Sequence, residues 1–229
     1  MYFSGRPRKL ADCRLRGAGT ELFLVEGDSA SSSVIAVRDA SFQAVFPMQG
    51  KPLNPMKSAA AKVTTNPLYA ALIATLGAGW GPGFALARLR YERVLILMDP
   101  DADGIHCGLL LQMFFYQWLR PLVESGRLLT VWAPMAEIQV AGQANPVPAY
   151  TEPHLQSVRD TLRRDGARIL DTIHYRGLGG MNPAMLARTC VIPASRTVAP
   201  VEVPDVRRAI EVFGGVSVPM DSQMDLFGP

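Results

Sequence analysis

The sequence predicts an α/β fold, a parallel sheet with flanking helices, followed by a smaller C-terminal α+β region. Three observations carry that expectation. Short apolar runs rich in β-formers alternate with helical stretches across residues 21–133, the pattern of strands joined by crossover helices. Two of those runs stop abruptly at acidic residues. From Ala136 onward the texture changes to shorter, loop-rich segments.

Taken in order, the first dozen residues are basic, and residues 1–20 are expected to form a lead-in. Glu21–Val25 (ELFLV) reads as a buried strand ending at Glu26-Gly27-Asp28-Ser29, with Asp28 or Ser29 placed to cap a helix running to about Arg38. Gln43–Phe46 is a second strand closed by Pro47. A loop rich in Gly, Pro and Asn follows, then helical stretches over Met56–Lys62 and Leu68–Leu76. The run GAGWGPG at Gly77–Gly83 follows a helix, not a strand, and carries Pro82 where helix-opening donors would be needed, so it does not read as a nucleotide loop. Val94–Met98 is a buried strand running into Asp99-Pro100-Asp101-Ala102-Asp103-Gly104. Ile105–Glu124 is expected as one long helix, apolar nearly all round and therefore buried between layers. Leu128–Trp132 is the next strand. Beyond it, Ala141–Pro153 reads as loop, Glu152–Arg164 as helix, Arg168–His174 as strand, and Arg176–Asn182 as a glycine-rich turn before a helix from Pro183. Residues 214–229 are expected to form a tail.

Composition narrows the function. The 229 residues are 48% hydrophobic and 19% charged with a net charge of +3, which excludes a disordered chain. Cys13, Cys107 and Cys190 are far apart and form no CxxC pair, so neither a zinc site nor a disulfide framework is indicated and a reducing cytoplasm fits. Met1–Cys13 has no apolar core, so no secretory signal is expected. The longest apolar runs fall short of the ~20 residues that span a bilayer, and no membrane partner is expected.

The chemistry concentrates at the two acidic strand ends. Ligands of open α/β sheets bind outside the carboxyl ends of strands. In an extended segment alternate residues point the same way, and Pro100 pushes Asp99 toward extended geometry, so Asp99, Asp101 and Asp103 can project together. Such carboxylates repel one another unless a cation sits among them. Hard oxygen ligands with open positions suit Mg²⁺, which accepts phosphate oxygens. Glu26, on the other strand, is placed both to ligate metal and to shuttle a proton. A calcium loop is disfavoured: its twelfth position would be Leu110, inside an apolar helix.

At these residues the chain resembles a known family. Glu26-Gly27-Asp28-Ser29-Ala30 followed by Asp99-x-Asp101-x-Asp103-Gly104 is similar to the acidic motifs of the TOPRIM domain, and more narrowly of the B subunits of bacterial type IIA topoisomerases, DNA gyrase and topoisomerase IV. Lys9–Cys13 resembles the segment just before that domain, and Leu89-Arg90-Tyr91 the approach to the second acidic strand. Pro47–Asn54 resembles the PLKGKxLN loop, and Tyr175–Pro183 resembles (Y/F)KGLGEMNP. The ordered motifs cover roughly residues 6–200. The resemblance implies a TOPRIM-type sheet over residues 21–135, a C-terminal topoisomerase-B-like region over 136–213, and a Mg²⁺ site that cuts and reseals double-stranded DNA with a Tyr-bearing A subunit. By motif position Glu26 is the metal-binding acid–base, Asp99 and Asp101 are Mg²⁺ ligands, and Asp103 is an outer or alternative ligand. Lys51, Asn54 and Arg176 fall at positions expected to contact DNA. His106 is expected to be structural or to support the acidic loop from outside it, not to act directly in catalysis.

Several positions depart from the pattern. Ser31-Ser32 replace Gly-Gly, Gln49 and Arg176 replace lysines, Pro100 removes a backbone donor, and Gly180 replaces Glu. No ATP-binding motif is visible, so the ATPase and transducer domains of B subunits are expected to be absent and a separate ATPase component is a further expected partner. The expected location is the cytoplasm, associated with the nucleoid. Two other functions are compatible with the motifs: a non-catalytic module that binds DNA or an A subunit, and a stand-alone TOPRIM nuclease.

Overall fold

The computed structural model describes residues 9–213. The expected tail 214–229 and the first eight residues of the lead-in lie outside the described residues. The elements in chain order are β1 (Gly17–Glu26), α1 (Gly27–Val37), β2 (Gln43–Met48), α2 (Ala60–Thr65), α3 (Pro67–Leu76), β3 (Tyr91–Leu97), α4 (Ala102–Trp118), α5 (Arg120–Glu124) and β4 (Leu128–Val131). They continue with β5 (Ala136–Val140), β6 (Val147–Ala149), α6 (Glu152–Arg164), β7 (Ile169–His174), α7 (Pro183–Leu186), β8 (Val198–Pro200) and α8 (Val203–Phe213).

The expected α/β class holds. The main sheet has the order β2-β1-β3-β4-β8, and its first four strands are parallel. Strand β8 adds antiparallel to β4, pairing Val131 with Val198. A separate antiparallel sheet, β6-β5-β7, forms the C-terminal α+β region. Alternation along β1 divides the core. Leu22 and Leu24 face a cluster built with α3 and α4, including Tyr69, Leu72, Leu111 and Phe114. Phe23 and Val25 face the opposite cluster, with Val34 of α1 and Leu178, Met181 and Met185 of the C-terminal region. The C-terminal segment thus supplies core to the main sheet as well as to its own. Its smaller cluster joins Ile138 and Ala149 to Leu155 and Leu162 of α6.

Several boundaries differ from expectation. Strand β1 begins at Gly17, not Glu21, and residues before it lie against the sheet: Ala11 bridges Val45, and Asp12 accepts hydrogen bonds from Tyr91 Oη (2.7 Å) and Arg90 (2.8 Å). Strand β2 runs through Pro47 to Met48, because beyond the Ala11 bridge at Val45 this edge strand pairs with β1 alone and needs no outward amide at Pro47. The expected helix 105–124 breaks at Leu119 (φ −133°). Pro121 has no N–H to donate back and forces a new start, so α5 is a separate turn. Strand β6 lies inside the stretch expected as loop, and β8 and α8 add elements that the sequence pattern does not predict. No helix among the described residues is long and apolar enough to cross a membrane.

Candidate metal and nucleic-acid site

Strand order places the site. From β1 the chain crosses to β2 on one side and then returns to β3 on the other, so the connections diverge between β1 and β3. Crevices at such switch points, outside the carboxyl ends of the strands, are where ligands bind in open sheets. Val25 pairs with Leu97. Glu26 therefore closes β1, and Asp99 lies two residues beyond the end of β3, on the same edge of the parallel sheet.

Glu26 is the residue before α1, in extended conformation (φ −85°, ψ 111°), and its side chain makes no capping bond; the expected cap from Asp28 or Ser29 is not formed. Its Oε2 is buried without a hydrogen-bond partner among the described residues. Burial, and then the nearby charges of Asp99, Asp101 and Asp103, hold the Glu26 carboxyl above the usual carboxylate range, with Lys51 opposing them. All four acidic residues therefore share one electrostatic neighbourhood.

The three aspartates each have a neighbour. Asp99 accepts the backbone N–H of Leu178 at 2.8 Å; burial raises its pKa, and that hydrogen bond opposes the rise. Asp101 caps α4, its Oδ1 accepting the Gly104 N–H at 2.8 Å. A Cβ on Gly104 would stand 2.2 Å from the Asp99 carbonyl oxygen, so only glycine lets the turn 99–104 fold back over itself. Asp103 is exposed and pairs with Lys51 Nζ at 2.9 Å, which lowers the pKa of Asp103 and raises that of Lys51.

Among the described residues no three His, Cys, Asp or Glu side chains are gathered into a ready-made metal cage. The donor set nevertheless suits a hard cation: oxygen atoms only, one of them buried and unpartnered, in a neighbourhood where like charges already oppose ionisation. Glu26, Asp99 and Asp101 are the carboxylates that could hold such a cation, while Asp103 is paired with Lys51.

The residues expected to contact DNA are dispersed around this edge. Lys51 is half-exposed and tied to Asp103. Arg176 is exposed, two residues before Leu178, whose N–H reaches Asp99. The Oδ1 of Asn54 accepts the N–H groups of Met56 (3.0 Å) and Lys57 (3.3 Å), which sets the turn after Leu53. His106 sits at the start of α4, and burial lowers its pKa.

Sequence reasoning missed two groups here. Lys9 pairs with Asp28 at 2.7 Å and also donates to Gln49, whose amide donates to Asp28 at 3.0 Å. The residue replacing a lysine of the PLKGK pattern thus bridges to the first acidic motif. The other is the backbone N–H of Leu178, for which a sequence carries no side-chain signal.

Comparison with known proteins identifies the domain. Residues 21–130 match the Toprim domain. The chain is 39% identical over 208 residues to the DNA gyrase B subunit of Archaeoglobus fulgidus, 38% over 214 residues to that of Halalkalibacterium halodurans, and 38% over 208 residues to that of Thermotoga maritima. These alignments cover 90–93% of this chain but 32–33% of each relative. The chain therefore spans about a third of the length of the curated relatives it matches.

Proposed function

Residues 21–130 are a Toprim domain, in a chain homologous over nine-tenths of its length to part of DNA gyrase B subunits; from that premise we propose that it is the Mg²⁺-dependent cleavage–religation module of a type IIA topoisomerase, acting with a Tyr-bearing A subunit on double-stranded DNA. One observation carries the reading: the carboxyl ends of the adjacent parallel strands β1 and β3 bring the unpartnered Glu26 carboxylate into the field of Asp99, Asp101 and Asp103.

Glu26, Asp99 and Asp101 would hold the cation, with Asp103 as an outer or alternative ligand; bound there, it supplies charge neutralisation at a phosphoryl group. In cleavage, the Tyr oxygen of the A subunit bonds to phosphorus as the bond from phosphorus to the ribose 3′-oxygen breaks. Glu26 is the group on this chain to hand that oxygen a proton and, in religation, to take it back. Lys51 and Arg176 stand at the rim to contact phosphates. Asn54, whose amide nitrogen is not used in its own turn, is a further group for DNA contact on the same loop as Lys51.

The test mixes the full chain with a gyrase-type A subunit, duplex DNA and Mg²⁺ and looks for DNA breaks linked covalently to the A subunit. Breaks that vanish on adding EDTA and in Glu26→Ala are expected. Absence of breaks, or breaks that persist in Glu26→Ala, would overturn the proposal.

A further inference from the structure

We infer that the Arg176–Asn182 loop of the C-terminal region is a positioning element of the acidic site: the Leu178 N–H orients Asp99 for cation binding, and Gly177 and Gly179 are the clearances that let the loop approach. The inference rests on the cation-site reading above and adds the partner that makes Asp99 a competent ligand.

The loop is held independently of Asp99. On its near side Tyr175 donates its N–H to the Met135 carbonyl (2.8 Å) and its hydroxyl to buried Glu137 (2.6 Å). On its far side Leu178 and Met181 are buried in the core against Phe23 and Val25, and Asn182 caps α7 through the Ala184 N–H at 2.9 Å. With both flanks fixed, the Leu178 N–H has a set position, and Asp99 Oδ1 meets it at 2.8 Å. Outer hydrogen bonds of this kind orient ligating carboxylates.

The glycines are explained by space. Gly177 is extended (φ 179°), a conformation open to any residue. Yet a Cβ there would stand 2.6 Å from Asp99 Oδ2 and 2.9 Å from its Cγ. A Cβ on Gly179 would stand 2.1 Å from Ser29 Oγ, in the first acidic motif. One loop therefore lies against both acidic strand ends. Gly180, by contrast, faces open space, so a side chain there, such as the Glu of the family pattern, would fit without a clash.

Mn²⁺ binding to the full chain, followed by the electron-paramagnetic-resonance signal of free Mn²⁺, tests this. Gly177→Ala is expected to weaken binding about 10–100-fold, while Gly180→Ala leaves it unchanged. In an Asp99→Asn background, Gly177→Ala should add no further loss, because the two act through one group. If Gly177→Ala does not fold, Gly179→Ala takes its place, and adding Ser29→Gly should restore binding by removing the clash. Wild-type affinity in the glycine variant, or an additive loss on top of Asp99→Asn, would overturn the inference. A wild-type chain that binds no Mn²⁺ would overturn the cation reading itself, and this inference with it.

Discussion

Strand β1 carries two glutamates, five positions apart, that have opposite environments. Glu21 is 3% exposed, and both its oxygens are bonded: Arg196 donates to it twice, at 2.5 and 2.7 Å, and Gln43 donates at 2.9 Å, although Arg196 Nε is itself buried without a partner among the described residues. Gln43 also bonds the Val191 carbonyl, so the group fastens the C-terminal region to β1 and β2. Glu26, at the carboxyl end of the same strand, has a buried oxygen with no partner among the described residues and three carboxylates nearby. Burial alone does not distinguish a structural carboxylate from a functional one. A satisfied buried charge holds the fold together; the unsatisfied one at the switch point is what the proposed cation site rests on.

The largest effect expected from this contrast is at the Glu21 end. Arg196→Met strands a buried carboxylate and should cost about 3–5 kcal/mol, lowering Tm by roughly 10 °C in a chain of this size. Adding Glu21→Leu should recover most of that loss, since an apolar pair leaves no charge unpaired. If the double variant is as unstable as the single one, the clamp is not the electrostatic unit described here.

A smaller effect of opposite sign is expected at Glu26. Its folded-state pKa is raised, so folding favours the protonated form, and stability is lost as pH rises through that value. Without metal, Glu26→Gln should therefore melt higher than wild type at pH 7, by on the order of 2 °C. The gap should close as pH falls below the normal carboxylate range. A variant that melts lower at pH 7 would show that Glu26 is satisfied after all.

The contrast is half legible in the sequence. The strand ends at Glu26 and Asp99 follow from abrupt apolar-to-acidic transitions, and the 13 residues of α6 can be read to the residue from its period and its Arg-rich end. The clamp is not legible, because Glu21 and Arg196 are 175 positions apart and nothing local pairs them. Strands β6 and β8 escape notice for a related reason. Each is three residues long and contains a proline, so tertiary pairing at a sheet edge and not propensity makes them strands. Within the site, type and spacing pick out the acidic residues. They do not reveal what each one touches: Asp101 spends an oxygen on a helix cap, and Asp99 meets a backbone amide.

A divalent cation that completes the Glu26 end of the sheet should register as stability. Thermal melts of the full chain with EDTA and with Mg²⁺, run side by side for wild type and Glu26→Gln, test this most directly. Binding to the native state alone stabilises by about 2.7 kcal/mol at a hundredfold excess over Kd, so the wild-type Tm should rise by several degrees, while Glu26→Gln, already relieved of its charge, should barely respond. A wild-type Tm indifferent to Mg²⁺, or an equal rise in both proteins, would contradict the account.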